Sequence, residues 1–227
     1  MKKMITAKKV RILLAQDYEG VRQSLCECLQ NESDLTVVGQ TGDGDEAVML
    51  SQKLKPDVVL MDLHMRKLNG IEAIKLIKSD NPSTVVFILT PYDYDQYIFA
   101  LIDAAACGYL PETATSRQIV EAIHAALEGE QVLRQAIVRK VVEHFGLLTK
   151  EKHKPPELLT EREMGVLTKA ARGMSNKHIA EELRLSTRIV KDFLESIFNK
   201  LGVGSRTEAV VCAVKNGLLG LEDISEN

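Results

Sequence analysis

Tryptophan is absent from this 227-residue chain, and the aromatic residues amount to only 4% of it. No glycine-rich phosphate loop follows the first apolar run either, so a flavodoxin-like cofactor role has little support. Cysteine is scarce. Four cysteines without regular spacing argue against a disulfide scaffold or a zinc site and suit a reducing cytosol. Cys26 and Cys28 form a C-x-C on a helical stretch, where side chains two apart diverge, and read as inert thiols. Long apolar runs are also missing. In the basic start, only Ile12 to Ala15 form such a run before Gln16-Asp17, and no 18-residue apolar stretch occurs anywhere. The expectation is a cytoplasmic protein with neither a secretion signal nor a membrane span. Charge of one sign is not dominant: the formal net charge is −3.

The residues present change character part-way along. Before about 130, short apolar runs alternate with helical patterns. The runs are at 10–15, 35–39, 57–61, 84–89 and 108–110, mostly β-branched and continuous, as in parallel strands buried on both faces. Between them Val21, Leu25, Cys28 and Leu29 form one stripe at helical spacing; Ala47, Val48, Leu50 and Leu54 form another; Ile71, Ile74 and Ile77 a third. Helices at about 94–105 and from Ser116 to Leu127 complete five β-α units. The pattern predicts a doubly wound, five-stranded parallel α/β domain over 1–130.

Residues 131–157 read as a helix (131–148) followed by a charged, proline-containing linker. Residues 158–227 read as an all-α, four-helix domain. Thr160 and Glu163 make a capping box, with Gly173 as the stop. Ser175, Ser186 and Ser205 are placed to cap three more helices, the last two ended by Gly202 and Gly217.

Charge divides at the same place. Residues 1–130 hold 13 basic and 19 acidic residues, a net of −6; residues 131–227 hold 16 and 13, a net of +3. The near-neutral total therefore does not exclude a nucleic-acid partner for the second half.

Ligands of an open α/β sheet bind outside the carboxyl ends of its strands. Those ends carry Gln16-Asp17, Asp62, Thr90 and, just past the fifth run, Glu112. Two carboxylates converging there form a hard oxygen site suited to Mg²⁺, with a hydroxyl near enough to bond an oxyanion.

The segments V-R-I-L-L-A-Q-D (10–17), P-D-V-V-L-M-D-L (56–63), L-N-G-I-E-A (68–73), V-F-I-L-T (86–90) and G-Y-L (108–110) resemble a receiver domain of the two-component response regulators. The resemblance covers about 10–128 and implies a flavodoxin-like fold. It implies Asp62 as phosphoacceptor from a sensor histidine kinase. It also implies Mg²⁺ held by Asp17, Asp62 and the carbonyl of His64, with Thr90 and Tyr109 as switch residues. Three departures stand out. Gln16 replaces the first of two acidic residues. Arg66 replaces the usual proline, a change expected to loosen the loop after Asp62. Glu112 occupies the position of the lysine that pairs with the phosphoryl group. Two modes of control therefore stay open: phosphorylation of Asp62, or an atypical receiver set by a protein or ligand partner.

L-T-E-R-E (159–163), G-M-S-N-K-H-I-A-E-E-L (173–183), L-S-T-R-I-V-K (185–191) and K-L-G-V-G-S-R-T-E-A-V (200–210) resemble the LuxR-type helix-turn-helix domain. Joined to a receiver, this output domain is similar to response regulators of the NarL/FixJ type. Independently of the resemblance, Val190, Phe193, Leu194, Ile197, Phe198 and Leu201 make one apolar stripe, leaving an opposite polar face fit for a major groove. The candidate DNA contacts are Ser175, Asn176, Lys177, Ser186, Thr187, Arg188, Lys191, Asp192, Glu195, Lys200 and Arg206. Residues 155–220 carry a net of only +2, from 10 basic and 8 acidic residues. Weak non-specific affinity and a sequence-dependent homodimer on promoter DNA are expected. A protein-only output is the competing reading. An aspartyl-phosphate phosphatase needs a second acid two residues after the nucleophile, where His64 stands, so the chain is not expected to be an enzyme.

Overall fold

In this computed structural model, residues 9–90, 106–111, 113–130, 159–220 and 223 are described. The helix expected at about 94–105, the helix at 131–148 and the linker at 149–157 lie outside them.

The apolar runs form five strands: β1 (Val10–Ala15), β2 (Leu35–Thr41), β3 (Val58–Asp62), β4 (Val85–Thr90) and β5 (Gly108–Pro111). They pair in parallel in the order β2-β1-β3-β4-β5. Parallel pairing demands crossovers, and helices α1 (Glu19–Gln30), α2 (Gly44–Leu54), α3 (Gly70–Asp80) and α4 (Ser116–Leu127) follow their strands in turn. Alternate strand residues enter opposite cores. Ile12, Leu14, Leu60 and Phe87 pack with Leu29 and Ile123 on one face; Leu13, Val59, Met61 and Ile88 pack with Ala47, Ile74 and Ile77 on the other. Every residue of β3 is buried, which accounts for its continuous apolar run.

Local chemistry sets where helices begin. Asp43 accepts from the amides of Asp45 and Glu46 at the head of α2, and Asn69 accepts from Glu72 at the head of α3. Thr115 and Gln118 form a reciprocal box at α4 that the sequence reading had not singled out.

The second unit comprises helices α5 (Glu161–Ala171), α6 (Asn176–Leu183), α7 (Thr187–Leu201) and α8 (Arg206–Lys215). Their caps are those expected: Thr160 with Glu163, then Ser175, Ser186 and Ser205, each accepting from the amide three residues on. Gly202 ends α7 at a φ of 66°, a left-handed turn that glycine adopts without a Cβ penalty. Val190, Leu194 and Ile197 are buried among Val166, Ile179, Ala209 and Val214, so the apolar stripe of α7 is the core of this unit.

The two units touch. Lys78, at the end of α3, bonds Glu208 of α8 across 2.5 Å with both side chains buried. Lys78 Nζ also donates to the carbonyls of Pro82 and Thr84, and Glu208 accepts from the Gly204 amide and the Ser205 hydroxyl. Burial pushes the Glu208 carboxyl upward, opposed by the charge and hydrogen bond of Lys78. Gly204 passes so close to this edge of the sheet that a Cβ there would lie 2.6 Å from the Ser83 carbonyl oxygen.

Candidate phosphoacceptor site and nucleic-acid interface

Three chain segments converge at the carboxyl edge of the sheet. Asp62 closes the central strand β3, opposite Leu89, with Thr90 next along β4. Gln16 and Asp17 follow β1, the other neighbour of β3. Asp62 is 3% exposed, and its Oδ1 accepts the His64 amide at 3.0 Å. Burial raises its carboxyl above the ordinary range, while amide hydrogen bonds from His64, Asp17 and Leu63 oppose the rise. A desolvated carboxylate fixed by backbone donors is held in one orientation at the sheet's ligand edge.

Gln16 is buried, with its side-chain oxygen accepting the Tyr18 amide at 3.1 Å, so it contributes no charge here. The side chains of Thr90 and Tyr109, and all of Glu112, lie outside the described residues. Of their backbones, Thr90 closes β4 opposite Pro111, and Tyr109 lies second in β5 opposite Ile88.

Arg66 behaves differently from expectation. Rather than loosening the loop after Asp62, it ties that loop down. Its carbonyl accepts from Gly44 at 3.1 Å and from Leu68 at 2.8 Å, and its backbone bridges to Asp43. Its guanidinium Nε donates to Asp17 Oδ1 at 2.8 Å. Next to it, Lys67 pairs with Asp43 at 2.7 Å. The sequence reading missed this clamp because its partners are far apart in the chain. Strand order supplies the signal that would have found it, since β1 and β2 place their following loops beside that of β3.

Among the described residues no group of three or more histidine, cysteine, aspartate or glutamate side chains converges to hold a metal ion. Mg²⁺ commonly keeps several waters and is bound through one or two carboxylates, so Asp17, Asp62 and the His64 carbonyl remain a fitting donor set for a hydrated ion.

On the second unit, α7 follows α6 after a short turn, and Ser186, Thr187, Arg188, Asp192 and Glu195 are exposed along its outer face. Lys177 is exposed on the first turn of α6, behind its cap Ser175. Two expected DNA contacts, Arg206 and Asn176, are buried, and two more, Lys200 and Lys191, hold ion pairs. Arg206 is 2% exposed, its guanidinium donating to the carbonyls of Ala170 and Met174 and to Asn176 Oδ1. Burial lowers its pKa to about 10, against the field of Glu130. It holds the α5–α6 turn from inside instead of meeting phosphate. Asn176 is fully buried, donating through Nδ2 to the Glu128 carbonyl and through its amide to Glu130. Lys200 pairs at 2.7 Å with the buried carboxylate of Glu163, which also accepts from Ser196 and Thr160. Lys191 reaches the receiver-side Glu128 at 2.8 Å. The residues just after α4 thus engage both the head of α6 and the middle of α7.

A parallel sheet with a buried strand-end aspartate, linked to a capped helix-turn-helix, defines a DNA-binding response regulator. Residues 12–124 match the response regulator receiver domain, and residues 157–213 match the bacterial regulatory proteins of the luxR family. Two Bacillus subtilis (strain 168) proteins are similar over nearly their whole length. The transcriptional regulatory protein YxjL is 37% identical over 93% of this chain and 98% of its own, and LiaR is 38% identical over 92% and 99%. The response regulator VraR of Staphylococcus aureus (strain Mu3 / ATCC 700698) is 34% identical over 92% and 99%. Among solved structures, a LuxR-family two-component response regulator from Aurantimonas sp. SI85-9A1 aligns with a TM-score of 0.54 at 27% identity, covering 60% of this chain and 98% of that one. The chain belongs to the LuxR family of transcriptional response regulators. That family consists in general of regulators rather than enzymes, and an atypical receiver controlled without phosphorylation, by a protein or ligand partner, is not favoured. No described helix is long and apolar enough to cross a membrane.

Proposed function

We propose that this regulator is switched by phosphorylation of Asp62 and then engages promoter DNA as a homodimer through the outer face of α6 and α7. The observation that carries the reading is the Asp62 carboxylate itself: buried, oriented by the His64 amide, and seated at the carboxyl end of the central strand. A sensor histidine kinase supplies the phosphoryl group. One Asp62 oxygen attacks the phosphorus in line, the phosphorus–nitrogen bond to the donor histidine breaks, and the nitrogen leaves with the electron pair. Asp17, Asp62 and the His64 carbonyl would hold Mg²⁺, whose charge offsets that of the phosphoryl oxygens. Thr90 and Tyr109 are the residues through which occupancy of the pocket is passed on.

For the output unit, Thr187, Arg188, Lys191, Asp192 and Glu195 read the groove, while Ser175, Ser186 and Lys177 position the helices on the backbone. One small module buries limited surface on DNA, which supports a dimer. The domains run over 1–130 and 158–227, joined by 131–157, in the cytoplasm. Incubation with Mg²⁺ and a small phosphoryl donor, followed by intact mass measurement, is expected to show a single phosphate adduct that Asp62→Asn abolishes. Failure of the wild-type chain to form it overturns phosphorylation control.

A further inference from the structure

We propose that Arg66 is the resident counter-cation of the Asp62 pocket, holding Asp17 in a form that must be released before that carboxylate can take a metal ion. The inference rests on the reading of Asp17 and Asp62 as the Mg²⁺ donors and assigns a regulator of that site within the chain.

Four observations carry it. Arg66 Nε meets Asp17 Oδ1 at 2.8 Å, and Asp17 is one of only two carboxylates in the donor set. The Arg66 carbonyl accepts from both the Gly44 and Leu68 amides, so the side chain starts from a fixed point. Gly42 leaves the space the guanidinium uses. A Cβ there would lie 3.1 Å from Arg66 Nη2 and 3.0 Å from Arg22 Nη1. Arg22 in turn donates to the Gln16 carbonyl at 2.6 Å and reaches that of Asp17, so a second guanidinium borders the same segment.

Charge at this edge follows from those contacts. Gln16 is neutral and turned to the Tyr18 amide, which removes one negative charge relative to a pair of acids. Arg66 adds one positive charge. A guanidinium stays ionised at every physiological pH and presents several N–H donors in a plane, so it satisfies a carboxylate without deprotonation or dehydration of a metal. The pair is not deeply buried: the Arg66 side chain is 69% exposed and that of Asp17 33%. Its strength is therefore modest, and Arg66 can swing outward into water and return. That makes it a gate rather than a permanent substitute for the ion.

The test is Mg²⁺ titration of the full chain by calorimetry, comparing wild type with Arg66→Ala and Arg66→Lys. Arg66→Ala is expected to bind Mg²⁺ roughly fivefold more tightly, about what one exposed ion pair is worth. Arg66→Lys, which keeps the charge but loses the planar fork, falls between the two. Thermal melts report whether the exposed substitutions leave the fold intact. An unchanged or weakened Mg²⁺ affinity in Arg66→Ala, or no binding by either protein, overturns the proposal. Intact mass after treatment with a small phosphoryl donor separates this outcome from the phosphorylation reading. Tighter Mg²⁺ binding without an adduct sustains the role of Arg66 while rejecting phosphorylation of Asp62.

Discussion

Lys78 and Glu208 form a 2.5 Å ion pair across the junction of the receiver and the helix-turn-helix, with side chains only 8% and 2% exposed. Removing one partner from such a pair costs about 3–5 kcal/mol, because the other charge is left desolvated. Here the stranded charge has an escape: separation of the two units returns Glu208 to water. Lys78→Met is therefore expected to raise the radius of gyration measured by X-ray scattering. Lys78→Met combined with Glu208→Leu leaves no buried charge and is expected to stay docked. An unchanged radius in the single variant contradicts the prediction.

Glu163 supplies a pH dependence with a definite sign. Burial pushes its carboxyl up, but hydrogen bonds from Lys200, Thr160 and Ser196 outweigh that and bring it down from 4.5 to about 2. A group depressed on folding contributes stability above its unfolded pKa and loses it as pH falls through the folded value. The Tm advantage of wild type over Glu163→Gln should therefore shrink between about pH 5 and about pH 2. A constant difference across that window would show that the pairing does not govern the helical unit's acid stability.

Gly44 owes its identity to a close approach. A Cβ at this position would sit 1.9 Å from the Leu68 carbonyl oxygen, a backbone atom that cannot step aside. Gly44→Ala must push away the loop after Asp62, together with Arg66 and Lys67. Overpacking of this kind costs about 1–3 kcal/mol. Urea unfolding should register that loss, and the yield of Asp62 adduct should fall with it.

Glu128 competes for Lys191. Their contact spans 2.8 Å between partly exposed side chains, so it is weak in itself. Its effect is positional, because Lys191 faces the receiver for as long as the bond is made. Glu128→Ala is expected to raise affinity for promoter DNA in a salt-controlled gel shift, by roughly fivefold at most. No change in affinity would place Lys191 outside the DNA contact.

Asp62 is a buried carboxyl whose charged form burial disfavours. Asp62→Asn removes that penalty while keeping the shape. A gain of ~1 kcal/mol corresponds to a few degrees in Tm for a domain of this size. Calorimetry of Asp62→Asn should show the rise, and a fall would mean that the ionised form is net stabilising.

Much of this architecture was legible in the residues. Continuous β-branched runs suit strands covered on both faces, and the buried β3 conforms, whereas edge strand β2 is mostly half-buried. The caps at Thr160, Ser175, Ser186 and Ser205 were readable because capping is a contact over three residues. Arg206 was misplaced for the opposite reason. Beside a helix start, an arginine looks like a phosphate contact, and nothing local reveals that Ala170 and Met174 direct their carbonyls at it. Lys200 stays exposed, and its pairing with Glu163 of another helix is equally invisible in the local sequence. Asn176 was expected outside, yet it is enclosed between Arg206 and the segment after α4.

By itself, the sequence determined the periodicities, the punctuation and the change of charge near residue 130, and through them two units of different class. It also determined that Asp17 and Asp62 would stand at one edge, since strand ends of a parallel sheet share it. Tertiary structure alone decided which cation Asp17 would face and which basic residues would stay on the surface. The physical reason is range. Capping and strand burial are set within a few residues, whereas the pairs Arg66–Asp17, Lys78–Glu208 and Lys200–Glu163 exist only once distant loops and helices are packed together.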